Sequence, residues 1–198
     1  KIGNGAFMKT ISEGKKLGSL LKKVGEFYGL HISVCYSSMH QPLGNTAGLW
    51  CEVMESIECL KGNGPDDLME LVLFLAERAL SLSGVEDSED HVKTALNDGT
   101  ALNKFYEMVQ AHGGSIRCFE NPETNMPLYM KKISAKKGGY IAFMNTKNLG
   151  LAVEKLCGRG RMKILDPTAG IRLYKKIGDL VSDNEPIVDY FCSDRDNL

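Results

Sequence analysis

Apolar residues recur at helical spacing over much of the first 112 positions, and the pattern predicts a run of helices interrupted by one strand. Ile11, Leu17, Leu20, Leu21, Val24, Phe27 and Tyr28 share one side of a helix that begins near Ile11. Thr10 and Glu13 precede and open it as T-x-x-E, the spacing at which each side chain satisfies a backbone N–H left free at a helix start. Gly29 supplies the left-handed residue that closes such a helix. Residues 30–36 then alternate Leu30, Ile32, Val34 and Tyr36 against His31, Ser33 and Cys35, which predicts a strand. Helix and strand joined by a single glycine form half of an α/β repeat, so a parallel sheet is expected.

After a loop at 37–45, Trp50, Val53, Met54, Ile57 and Leu60 carry the helical spacing up to Gly62. Pro65 with Asp66 and Asp67 opens another helix, predicted over 65–83, with acids where the helix dipole favours them. Its apolar stretch at 68–84 is interrupted by Glu70, Glu77 and Arg78, and reads as a buried amphipathic helix. Shorter helices follow at 88–97 and 101–112. Residues 115–130 hold Pro122 and Pro127 and no clear period, which suits a linker. From Lys131 the segments are short, with one helix at 147–157 and a tight turn at Asp183-Asn184 joining two strands. The expected organisation is α/β over 1–114, a linker at 115–130 and a smaller α+β domain at 131–198.

The chain has 198 residues, of which 43% are hydrophobic and 25% charged, as in ordinary globular proteins. A net charge of −1 offers no electrostatic footprint for nucleic acid or an anionic membrane. No apolar run reaches the roughly 20 residues of a spanning helix. The six cysteines form no CxxC pair and suggest reduced thiols, hence a cytoplasmic setting, rather than zinc ligands or a disulfide framework. His31, His40, His91 and His112 pair with no identifiable nucleophile.

Two glycines flank Asn4, and a G-x-G turn lets backbone approach a ligand and present amides to an anion. A tight strand-to-helix turn has the same letters, and Met8 stands where a Rossmann motif needs its third glycine.

The strings around these features carry a resemblance. K-I-G-N-G-A-F-M-K-T at 1–10, S-S-M-H-Q-P-L-G-N-T-A-G at 37–48 and C-E-V-M-E at 51–55 resemble the middle of pyrimidine-nucleoside phosphorylases. K-G-N-G-P-D-D-L at 61–68, G-Y-I-A-F-M-N-T-K-N-L-G-L-A-V at 139–153, D-P-T-A-G-I at 166–171 and I-G-D-L-V at 177–181 extend it to essentially the whole chain. The resemblance implies an α/β fold class: part of the mixed sheet and helices of a nucleoside phosphorylase/phosphoribosyltransferase catalytic domain, with its N-terminal portion missing, followed by a smaller α+β C-terminal domain. Anthranilate phosphoribosyltransferase shares that catalytic domain but lacks the C-terminal one. An archaeal nucleotide phosphorylase fits the G-A-F-M-K-T and Q-P-L-G strings less well.

The resemblance also implies site residues. Phe7 matches the aromatic that walls the pyrimidine pocket, with plain core packing as its other reading. Leu43 and Thr46, through their carbonyls, and Glu55, through its carboxylate, match a site for potassium or another monovalent cation, with oxygen ligands that suit a hard ion. The other reading of Glu55 is a solvated helix face beside Glu52 and Glu58, and the match of the whole loop favours the cation site. Ser38 departs from the Asp usual in that loop. Arg159 and Arg161 read as exposed loop charges in preference to a phosphate clamp.

The family's phosphate-binding set, its catalytic-site histidine and most groups that grip the base match an earlier segment. The implied whole is a cytoplasmic homodimer that cleaves thymidine, uridine or deoxyuridine with phosphate, and this chain by itself is expected to be inactive. A non-catalytic binding or scaffold module of the same descent is the alternative.

Overall fold

The computed structural model describes residues 1–158 and 165–198. The two loop arginines, Arg159 and Arg161, lie outside the described residues.

The first helix, α1 (Ile11–Phe27), is set by local chemistry. Thr10 and Glu13 form both halves of the capping box. At the far end Gly29 has φ +76°, and the Leu30 N–H reaches back to the Gly25 carbonyl at 3.0 Å, closing the last turn. The apolar stripe behaves differently from its period. Leu20, Leu21 and Val24 are half or more exposed and Phe27 is 84% exposed, while Gly14 and Gly18 are the buried positions of the helix.

Those glycines explain the packing. Residues 30–36 run extended beside α1, and a Cβ added at Gly18 would lie 2.8 Å from Val34 Cγ1. Gly25 receives Ile32 and Gly14 receives Tyr36 and Ile2 in the same way. The strand predicted at 30–36 nevertheless joins no ladder among the described residues, because its alternation selects a face and no second strand lies beside it. Of the expected parallel sheet there are two isolated bridges, Ile2 with Met8 and Ile2 with Ser38. The Ile2 N–H donates to the Ser37 carbonyl at 2.8 Å and its carbonyl accepts from Met39 at 2.6 Å, so α1 is the crossover between two parallel segments.

A short strand, β1 (Thr46–Gly48), leads into α2 (Trp50–Leu60), α3 (Asp66–Leu82), α4 (Ser88–Asn97) and α5 (Thr100–Ala111). No residue of α3 is buried, so the expected buried helix lies at the surface, with Val72, Phe74 and Leu75 each more than two-fifths exposed. Residues 115–130 hold a four-residue helix, α6 (Arg117–Glu120), and a 3-10 turn at Pro122–Asn125. Phe119 of α6 stacks on Trp50 and Tyr106, at 5.7 and 6.0 Å between centroids, which pins this segment to α2 and α5.

The remaining elements are β2 (Tyr129–Ser134), β3 (Gly139–Tyr140), α7 (Thr146–Leu156), β4 (Gly170–Leu173), β5 (Leu180–Val181) and β6 (Pro186–Cys192). They build an antiparallel sheet of order β1-β4-β6-β2 and a separate β3–β5 pair. The turn at Asp183-Asn184 is present, with Asn184 left-handed at φ +60°, but it joins β5 to β6, which belong to different sheets.

One face of the four-stranded sheet presents Ile171, Leu173 and Cys192 to α7, where they pack with Met144, Leu156 and Cys157 as the main core. The other face looks toward α2. Gly170 is required there, because a Cβ would meet the Ala47 carbonyl at 2.7 Å and the Phe191 ring at 3.1 Å. The edge strand β1 comes from the opposite end of the chain, so residues 46–48 and 170–192 form one sheet.

Candidate functional site

The glycine loop folds tightly. The Ala6 N–H bonds to the Gly3 carbonyl at 3.0 Å, and Lys9 Nζ donates to the carbonyls of Asn4 and Ala6 at 3.1 and 2.6 Å. Gly3 has φ +139°, and a Cβ on it would stand 2.7 Å from the Met39 carbonyl carbon. This turn buries Ala6 and projects Phe7 outward at 92% exposure. Phe7 is therefore not a core residue of this chain. Its ring borders a hollow of about 420 Å³ with Met8, Leu17, Leu21 and Val34.

The loop that ends in β1 turns at Gly44, φ +72°, directly against Glu55. Glu55 Oε1 accepts the Asn45 N–H at 2.9 Å, and Oε2 stands where any side chain at 44 would collide with it. Of the three acids on α2, Glu52 is committed to the Gly48 N–H at 2.9 Å and Glu58 to Lys61 at 2.8 Å. Glu55 is thus the acid turned onto the loop rather than left on a solvated face.

The carbonyl of Thr46 is also placed. The Leu173 N–H donates to the Asn45 carbonyl at 2.7 Å, so the next pair, Thr46 and Arg172, falls in a non-hydrogen-bonded register. Thr46 then directs its backbone away from β4, to the side on which Gly48 meets Glu52. Its hydroxyl is buried beside the Cys51 thiol. A carboxylate and backbone carbonyls are the oxygen ligands that a hard monovalent cation takes, so the chemistry of the expected residues fits such an ion. Among the described residues no three His, Cys, Asp or Glu side chains converge as a metal site.

Thr46 and Glu55 border a cavity of about 780 Å³ between the sheet and α2, whereas Leu43 borders a neighbouring hollow with Gln41 and Asp67. Phe7 joins neither. The fold puts Thr46 and Glu55 on one cavity and leaves Leu43 and the aromatic apart from it.

Sequence reasoning missed a row of polar residues on the sheet, of which Thr46 and Arg172 border the cavity. Thr46, Arg172, Asp189 and Lys132 stand side by side on four adjacent strands, on the face turned toward α2. Asp189 is 3% exposed; its Oδ2 accepts the Tyr174 hydroxyl at 2.6 Å while Oδ1 has no partner. That hydrogen bond, more than burial, raises the Tyr174 pKa. Only strand register aligns these residues, and no local spacing announces it. Cys51 lies at the same boundary, its thiol pushed up to about 11 chiefly by burial, with Glu52 adding to the effect. It is a protonated, inert thiol rather than a nucleophile.

Comparison with known proteins bears on this geometry. Residues 140–198 match the Pyrimidine nucleoside phosphorylase C-terminal domain. The chain is 36% identical over 203 aligned positions to a thymidine phosphorylase of Metamycoplasma hominis, covering 98% of this chain and 74% of that protein. The chain belongs to the pyrimidine-nucleoside phosphorylase family. It is also 34% identical over 197 positions to a pyrimidine-nucleoside phosphorylase of Staphylococcus aureus, covering 95% of this chain and 45% of the relative. The chain therefore spans about half the length of the S. aureus relatives it matches. Among the described residues no helix is long and apolar enough to cross a membrane.

Proposed function

We propose that this chain contributes the cation loop and the C-terminal scaffold to a pyrimidine-nucleoside phosphorylase. In that enzyme phosphate attacks the anomeric carbon of thymidine, uridine or deoxyuridine and releases the free base and a pentose 1-phosphate. The reaction develops positive charge on the sugar and negative charge on the departing base, so it needs a cage for phosphate and donors on the base. The observation that carries the reading is the family-level identity over nearly the whole chain. The turn of Glu55 onto the Gly44–Thr46 loop supports it.

Potassium would be held by the carbonyls of Leu43 and Thr46 with the Glu55 carboxylate, and would supply a fixed positive charge that braces the loop. Phe7, exposed on its turn, is available to pack on a flat base. Among the described residues no phosphate-binding set is assembled, and the chain by itself is inactive. The complete enzyme acts as a cytoplasmic homodimer on nucleoside and phosphate.

Incubation of the purified chain with thymidine or uridine and phosphate is expected to release no thymine or uracil. Measurable release by the chain alone would overturn its proposed inactivity. For the cation, Glu55→Gln should reduce the rise in melting temperature that potassium chloride gives over choline chloride. An undiminished rise would remove Glu55 from the site.

A further inference from the structure

Asn4 stands where three segments cross. Its Oδ1 accepts the Thr146 N–H at 2.9 Å, in the first turn of α7, and its Nδ2 donates to the Met144 carbonyl at 2.9 Å. The same amide reaches the His40 carbonyl at 3.4 Å. Thr146 is 7% exposed, and its hydroxyl donates to that His40 carbonyl at 2.7 Å. Beside this knot the Gly5 N–H donates to the Met39 carbonyl at 3.0 Å.

The packing is as tight as the bonding. A Cβ at Gly5 would fall 2.5 Å from Thr146 Cγ2. The glycine loop that carries Phe7, the segment at Met39–Gln41 and the start of α7 are therefore in contact at backbone distance. None has room to shift alone. His40 lies three positions before Leu43. Between them, Gln41 Oε1 accepts the Ile177 N–H at 2.7 Å, so the path to the cation loop is anchored at Gln41.

We propose that Asn4 is a positioning residue that transmits cation occupancy of the Leu43, Thr46 and Glu55 loop to the glycine loop and the first turn of α7. The proposal rests on the cation reading above. An ion that draws the Leu43 and Thr46 carbonyls inward pulls on the residues just before them. The His40 carbonyl, which accepts from both Thr146 and Asn4, hands that displacement to α7 and to the Phe7 turn. The coupling is reciprocal: whatever orders the Phe7 turn tightens cation binding by the same factor.

The test is an amide NMR titration of the ¹⁵N-labelled chain with potassium chloride, against choline chloride at matched ionic strength. The Asn45 amide, bonded to Glu55, reports the loop, and the Thr146 amide reports the knot. Both are expected to shift with one midpoint. In Asn4→Ala the Asn45 response should persist and at least half of the Thr146 response should disappear. Asn45 moving without Thr146 in the unaltered chain would overturn the coupling, and an undiminished Thr146 response in Asn4→Ala would overturn the role of Asn4. If neither amide moves, the cation reading falls and the coupling falls with it. Should Asn4→Ala not fold, Asn4→Asp keeps the Oδ1 acceptor for the Thr146 N–H and removes the donor to His40 and Met144, and is expected to reduce the Thr146 response. An undiminished response there would overturn the proposal.

Discussion

The two ends of this chain use apolar residues in opposite ways. Where β4 and β6 meet α7 they are covered: Ala169 and Cys192 are fully buried, and Ile171, Leu173 and Leu156 are at most 5% exposed. Along α1 the same residue types stand in the solvent, and the buried positions are Gly14 and Gly18. Hydrophobic periodicity says which residues share a side, whereas burial depends on whether another layer covers that side. The sheet has α7 against one face, while among the described residues α1 has residues 30–36 and Ile2 lying across its glycines. The teaching of the contrast is that the sheet end is held by side-chain volume and the α1 end by close backbone approach.

The largest expected effect tests the first half of that statement. Leu173→Ala, in the core against α7, should cost about 2–5 kcal/mol in denaturant unfolding. Leu21→Ala, on the 59% exposed stripe of α1, should cost no more than about 0.5 kcal/mol. Equal losses would mean that the stripe is covered in solution, and the contrast would break.

A smaller effect tests the glycines. A methyl at Gly18 would stand 2.6 Å from Tyr36 Oη and 2.8 Å from Val34 Cγ1, so Gly18→Ala should cost about 1–3 kcal/mol. Gly150, within α7, has nothing within 4 Å of an added Cβ, and Gly150→Ala should stabilise by about 0.5–1 kcal/mol. A neutral Gly18→Ala would show that residues 30–36 do not hold their place against α1.

The smallest effect concerns Cys51, where α2 meets the sheet. Its thiol ionises near 9.0 when unfolded and near 11 in the fold, because burial penalises the thiolate. The folded state therefore keeps a proton that the unfolded state releases. This contribution to stability is complete below about pH 9 and is lost as pH rises through 11. Melting temperatures measured at pH 8 and pH 10 should fall less in Cys51→Ala than in the unaltered chain. An equal fall would show that the site is wetter than the cavity wall implies.

Legibility in the sequence followed the same division between local and distant causes. Thr10 and Glu13 announce the start of α1 because their partners lie within one turn, and Gly29 announces its end for the same reason. The strand expected at 30–36 did not join a ladder, since alternation carries no information about a neighbour. The buried helix expected over 65–83 lies at the surface, since amphipathic spacing does not supply a covering layer. At the candidate site, the position of Glu55 against Gly44 agrees with the loop pattern, ten residues from Asn45. The knot at Asn4 and Thr146 spans 142 positions, and the row from Thr46 to Lys132 exists only through strand register. Neither leaves a mark in local spacing.

The placement of β1 at the edge of a sheet built from the last strands has a consequence for synthesis. Gln41 and Ile177, 136 positions apart, meet only once both have been made. At roughly 5–20 residues per second, the early residues leave the ribosome about ten seconds before β4 and β6 exist to receive them. During that interval Thr46–Gly48 is an unpaired strand, and the nascent chain displays the outward leucines of α1 beside it. The sheet can close only after residues 170–192 have been made.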